Sequence, residues 1–187
     1  MKRVVSFAVA VAMLFSGVAL AEEIKSGLKK DAMIGAFYVT KVAGAEKDGV
    51  AVGKNLCYRC KNGGRPQVMV FTRSADENVT KLVKKLDECV TKNEESQLKA
   101  FVNMLGDSKD SASDDITKLA KASKAQKIPF VVPNEYENGP EDYGINPKAE
   151  LTIIFANGGK VVANHAVASA KDLDVAKVVG AVEKALN

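Results

Sequence analysis

The stretch that decides the fold is Gln67-Val68-Met69-Val70-Phe71-Thr72-Arg73-Ser74-Ala75-Asp76-Glu77, followed by Val79, Leu82, Val83, Leu86 and Val90. Val68 to Phe71 is a short apolar run suited to a buried strand. Ser74 and Glu77 have the spacing of a capping box, in which Ser74 caps a helix and Glu77 reaches back. The apolar residues that follow recur at helical spacing, which predicts one buried stripe on a helix over about 75–91. A strand passing directly into an amphipathic helix is the opening of a βα unit.

Downstream, Leu98 to Leu105 has strand character, and Ser113-Asp114-Asp115 marks a second helix running to about Lys127 with Ile116, Leu119 and Ala120 inward. Ile128 to Val132 is a short extended piece. Pro133, Gly139, Pro140, Gly144 and Pro147 predict a long loop over 133–149. Leu151–Phe155 and Lys160–His165 flank Asn157-Gly158-Gly159 and predict a β-hairpin. A last helix over about 171–186 follows, with Ser169 and Asp172 as caps and Val175, Val178, Val179, Val182 and Leu186 buried. Upstream, Phe37 to Val42 has strand composition. Residues 43–66 are rich in Gly, Lys and Asn and predict a loop, with room for a hairpin.

At the start, Lys2 and Arg3 precede an apolar run from Val4 to Phe15, then Ser16-Gly17 and Ala19-Leu20-Ala21 before Glu22-Glu23. This is the layout of a secretory signal over 1–21, cleaved after small residues. The apolar run is short for a membrane span, which needs about 20 residues, so no stable membrane anchor is expected after cleavage. Removal of 21 of the 187 residues leaves 166, enough for one domain with a core. The expected organisation is the signal over 1–21, an N-terminal extension with a strand and a cysteine-bearing loop over 22–66, and a core over 67–187 forming one domain with 36–66. A periplasmic or secreted location follows. Without Lys2 and Arg3 the net charge of +4 falls to +2, with lysines scattered among Asp and Glu. That balance argues against nucleic acid as a partner.

Strand, helix, strand, helix, short strand, hairpin, helix is the α/β order of a thioredoxin-like core with a mixed sheet and flanking helices. Ile128-Pro129-Phe130, Tyr143-Gly144-Ile145 and Thr152 to Val162 resemble the corresponding stretches of thioredoxins and of the alkyl hydroperoxide reductase and thiol-specific antioxidant branch. The resemblance covers about the last two thirds of the chain. It implies a reactive Cys at the start of the helix after the first core strand, where helix N–H groups stabilise a thiolate. Read against the Thr-x-x-Cys pattern of peroxiredoxins, Thr72 is present and Ala75 stands where the Cys would be. The resemblance also implies a proline before the hairpin, a slot that falls at Glu150, with Pro147 three residues early.

The cysteines lie elsewhere, at Cys57, Cys60 and Cys89. An oxidising compartment favours pairing among them, and an odd count leaves one over. Cys57-Tyr58-Arg59-Cys60 precedes the core strand by six residues and should sit at the end of the sheet opposite the usual site. Cys89, near the end of the returning helix, should come back to that same end. A three-cysteine cluster is therefore expected.

Three uses stay open. Cys57 and Cys60 are the candidate catalytic redox pair, with Cys89 as an exchange partner and Lys54, Arg59, Lys61 and Arg65 favouring a thiolate. Alternatively the pair, or one member with Cys89, staples a loop in a non-catalytic binding or scaffold domain, leaving Cys89 a small buried hydrophobe. The third use is a metal: Cys-x-x-Cys is half a zinc site and the single His165 belongs on the far hairpin strand, so a zinc site is not expected, a thiolate copper(I) site stays open, and the expected reading is no metal and no cofactor. No His follows Cys60, so covalent haem attachment is unsupported. The expected partner is a protein or thiol substrate whose identity the residues do not specify. Exposure of Cys57 and Cys60 is the feature that separates redox from staple.

Overall fold

The computed structural model describes residues 24–186; the expected signal segment lies outside the described residues. Seven strands form one sheet in the order β2-β1-β5-β4-β3-β6-β7. They are β1 (Val39–Ala43), β2 (Asn55–Leu56), β3 (Gln67–Thr72), β4 (Lys99–Met104), β5 (Phe130–Pro133), β6 (Leu151–Asn157) and β7 (Lys160–Val167). The helices are α1 (Tyr58–Asn62), α2 (Glu77–Lys92), α3 (Lys109–Ser123) and α4 (Val175–Leu186).

β3 and β4 run parallel, as do β4 and β5, while β6 lies antiparallel to β3 and β7 antiparallel to β6. The sheet is thus mixed, as the order of elements implied. Gly158 and Gly159 connect β6 to β7 with φ of 58° and 80°. Both are left-handed, the two-residue turn whose twist suits a hairpin and whose φ values favour glycine.

Every residue of β3 is buried, and alternate side chains serve two different cores. Val68 and Val70 join an aliphatic cluster with Val79, Leu82, Val83, Leu86, Val102, Ile116, Leu119, Val178 and Val182, which places α2, α3 and α4 on one face. Met69 and Phe71 join an aromatic cluster on the other face, with Phe37, Tyr58, Phe101, Tyr143 and Ile154. Leu82 and Leu86 of α2 are fully buried, each contributing about 1.5–3 kcal/mol by removal from water.

The helix after β3 forms as expected but is capped differently. Asp76, not Ser74, is the N-cap, its carboxylate accepting from the Val79 N–H at 2.9 Å. Ser74 is instead held in a tight turn by Thr72, whose hydroxyl donates to the Ser74 carbonyl at 2.8 Å. α3 begins earlier than expected because Ser108 and Ser111 cap each other reciprocally, which places Ser113-Asp114-Asp115 inside the helix. α4 begins later: Ser169 caps a short 3-10 turn, and Asp174 accepts from the Lys177 N–H.

The larger departure is between 43 and 66. The hairpin for which this segment had room is formed by β1 and β2, but α1, which was not expected, follows at once. Lys54 N–H also donates to the Ala51 carbonyl, closing the turn before β2. The N-terminal lead is ordered as well: Asp31 and Ala32 exchange backbone hydrogen bonds with Val161 along the outer edge of β7.

Candidate functional site

α1 is built around its cysteines. Cys57 is its N-cap, with extended backbone and its Sγ accepting from the Cys60 N–H at 3.0 Å. Gly63 closes the helix, donating to the Arg59 and Cys60 carbonyls. With two residues between them, the cysteines of this single turn lie 5.2 Å apart at Cα and are joined as a disulfide. The two sulfurs differ in exposure. Cys57 is buried at 8%, whereas Cys60 is exposed on the outer side of the turn.

The helix is anchored from its inner side. Tyr58, 2% exposed, stacks on Phe101 with ring centroids 5.7 Å apart. Its hydroxyl donates to Asp48 Oδ2 at 2.6 Å. Asp48 Oδ1 accepts from Lys41 Nζ at 2.9 Å, and Lys41 is itself 1% exposed. Lys41 completes its set with the Ala45 and Val50 carbonyls at 3.0 and 2.8 Å. All three ammonium protons are used, which is the condition for burying a lysine charge.

This chain sets the local charge states. Burial pushes the Asp48 carboxyl up, but hydrogen bonds from Tyr58, Lys41 and the Val50 N–H outweigh it, and the group ends below its ordinary range. Tyr58 moves the other way: burial, then the bond to Asp48 and its charge, push the phenol well above the usual value. Neither Lys41, Asp48 nor Tyr58 stood out in the sequence. Their only trace there is a lysine on a strand followed by an aspartate in a glycine-rich loop, a common pattern.

Arg59 extends from α1 toward the β6–β7 turn, its Nη2 3.6 Å from where a Gly159 Cβ would stand. Lys61 is exposed, and Arg65 is held by the Asn62 carbonyl at 2.7 Å and by the Lys61 carbonyl. Lys54 is also exposed.

Cys89 lies in α2 at 2% exposure, within the aliphatic core. Tyr58 of α1 belongs, with Phe101, to the aromatic core on the other face of the sheet. Cys57 and Cys60 are bonded to each other, and Cys89 is a buried free thiol. α2 does return to the lower end of the domain, where Val90 and Glu94 line a cavity shared with Lys61 and Arg65; the sheet, one strand thick, puts Cys89 in the other layer. Burial, then the charge of Glu183, push its thiol up and outweigh the Asn93 hydrogen bond and the charge of Lys92, the opposite of an activated thiol.

At the upper end of β3 the backbone turn ends in Ala75 and Asp76, without sulfur. Arg73 fills that region, its Nη1 donating to the Glu137 carbonyl at 2.6 Å and its Nη2 to Asn138 Oδ1 at 3.3 Å. The long loop is thereby latched over the end of the strand. Glu150, in the slot before β6, bonds through its carbonyl to the Arg73 N–H and through its carboxylate to the Ala170 N–H. His165 lies part-buried on β7 opposite Ile153. Among the described residues no group of three or more His, Cys, Asp or Glu side chains is placed to hold a metal ion.

Set beside solved structures, this architecture has clear counterparts. The thioredoxin domain of a thiol-disulfide oxidoreductase from Bacteroides vulgatus superposes with a TM-score of 0.62 at 16% identity, over 86% of this chain and 99% of that one. This chain has the thioredoxin-like fold. A Chlorobium tepidum protein assigned as the thiol:disulfide interchange protein DsbE gives 0.61 at 14% identity, over 86% and 99%. Mycobacterium bovis AhpC gives 0.61 at 12%, over 86% and 98%. At such identities the likeness concerns the fold. No protein-family model and no curated protein matches the chain. On this fold the disulfide sits before the first core strand, and the position after it, at Ala75, has no cysteine.

Proposed function

We propose that this is an exported thiol–disulfide exchange protein acting through Cys57 and Cys60 on a partner protein's thiols. The observation that carries the reading is the unequal exposure of the two sulfurs: Cys60 is open to an incoming thiolate, and Cys57 is buried with an N–H donor on its sulfur.

The direction of attack follows. A partner thiolate approaches Cys60 Sγ, forming a partner–Cys60 bond as the Cys57–Cys60 bond breaks. The electron pair leaves on Cys57 Sγ, where the Cys60 N–H stabilises the thiolate. Hydrogen bonding to the charged form lowers a leaving group's pKa and speeds its departure. A second partner thiolate then displaces Cys60. The partner's two thiols become a disulfide, Cys57 and Cys60 become thiols, and two electrons have moved. Cys89 is buried apart and takes no part. The pattern of small residues before Glu22 supports export, which supplies the oxidising surroundings the disulfide needs.

A second reading is favoured by the Lys41–Asp48–Tyr58 anchor, which ties α1 down from inside. In it the disulfide staples a binding domain whose fold has no cysteine at the usual site. The equilibrium potential of the Cys57–Cys60 couple, by glutathione titration with mass mapping, separates the two. A value near or above about −230 mV supports exchange, and one below about −300 mV makes the bond a staple.

A further inference from the structure

The lower end of the domain holds a half-open cavity of about 490 Å³, bounded by α1, the end of α2, the start of β4 and the Gln126–Pro129 segment. That volume is within the range of small-molecule sites. Its floor is apolar, with Val90, Leu98, Ala100 and Pro129, and its walls carry Lys47, Lys61, Arg65, Lys99 and Lys127 against Asp48 and Glu94.

Both carboxylates are already engaged. Asp48 is held by Lys41 and Tyr58, and Glu94 Oε1 by Lys127 at 3.0 Å. None of the ion pairs found among the described residues uses Lys47, Lys61, Arg65 or Lys99. The charge of Lys99 also acts on Glu94, and in all five cations face two carboxylates in one concavity. Walls of low dielectric focus such a field.

The arrangement is also held in place. Arg65 is fixed through Nε and Nη2 by two carbonyls at the end of α1, which leaves Nη1 of its fork unspent. Ala45 and Gln97, on opposite sides of the cavity, are two of the described non-glycine residues with left-handed backbone, at φ of 44° and 55°. Strained backbone of this kind persists where surrounding structure enforces it, and it gathers at ligand sites.

We infer that this cavity binds a small organic anion carrying more than one carboxylate or phosphate, with Arg65 and Lys99 as its principal contacts. Tyr58, Lys61 and Asn62 line the cavity from α1, and neither Cys57 nor Cys60 does. The site is therefore distinct from the exchange site and stands whether or not the disulfide exchanges.

The test is calorimetric titration of the oxidised protein with citrate and, separately, with pyrophosphate, at ionic strength held constant with sodium chloride. Saturable one-to-one binding of either is expected, and the stronger of the two identifies the carboxylate or phosphate class. Arg65→Gln should weaken it by about tenfold or more, the effect of losing a hydrogen bond to a charged group. Lys99→Gln, which leaves the helix contacts of Arg65 intact, should also weaken it. Lys171→Gln, outside the cavity, should leave it unchanged. Absence of saturable binding with both anions overturns the inference, and so does equal weakening by Lys99→Gln and Lys171→Gln. Loss of redox activity with anion binding intact overturns only the exchange function.

Discussion

The two ends of β3 carry opposite kinds of chemistry. At its upper end the chain turns through Arg73, Ser74 and Ala75 into α2, and the turn is filled by backbone and guanidinium hydrogen bonds. At its lower end a one-turn helix presents a disulfide with one sulfur exposed, over an ionic chain that reaches a fully buried lysine. Both ends have ordered loops and satisfied caps. What separates them is where sulfur and charge sit. A fold can keep its sheet and helices wherever its sulfur sits, because the core residues that specify the sheet do not include Cys57 and Cys60.

The largest test of that contrast is removal of the carboxylate under α1. Asp48→Ala leaves the Lys41 ammonium buried with two carbonyls and no counter-charge, and should cost about 3 kcal/mol in chemical denaturation. The pH dependence has a definite sign. Asp48 lies below its ordinary value of 3.8 when folded, so its contribution is complete above that value and disappears as pH falls through the lower folded one. The stability curves of wild type and variant should converge below about pH 4. A parallel pair of curves would remove Asp48 from the account of the lower end.

Next in size is the difference between the two sulfurs. In Cys57→Ser the remaining Cys60 should react with a disulfide reagent at least about tenfold faster than Cys57 does in Cys60→Ser, following exposure and access. Offered a disulfide-bonded partner, Cys57→Ser should also accumulate a mixed disulfide through Cys60, since Cys57 is absent to displace the partner. Equal rates would mean that the assigned direction of attack is wrong. Cys89 should resist alkylation until the protein unfolds.

Smaller effects probe the upper end. Asp76→Ala should cost about 1 kcal/mol by thermal melting, the usual loss for an N-cap, and more than Ser74→Ala. The reverse order would restore the capping box that the spacing of Ser74 and Glu77 suggests. Arg73→Gln should cost about 0.5–1.5 kcal/mol and raise amide exchange within 134–140, while leaving the reactivity of Cys60 unchanged. A change at Cys60 would mean that the ends are coupled through β3.

Much of the fold was legible in the residues. The apolar run Val68 to Phe71 and the stripe Val79 to Val90 are periodic signals, and periodicity is what a sheet and a helix must have to bury one face. Boundaries were less legible, because Ser74, Asp76, Ser108 and Ser113 are all competent caps. Choice among them depends on which backbone N–H groups the tertiary path leaves unpaired. α1 was missed because five residues are too few to show a period.

By itself the sequence determined the order of elements from β3 onward, the mixed sheet they make, the lack of sulfur after β3 and the presence of a Cys-x-x-Cys before it. All of these are properties of neighbours along the chain. Only the tertiary structure decided that Cys57 is buried and Cys60 exposed, that Cys89 lies in the other layer, and that Lys41, Asp48 and Tyr58 meet beneath α1. Those are distances between segments far apart in sequence, set by which side of a one-strand-thick sheet each side chain faces. No local pattern encodes them, and they are what gives the two sulfurs different exposure.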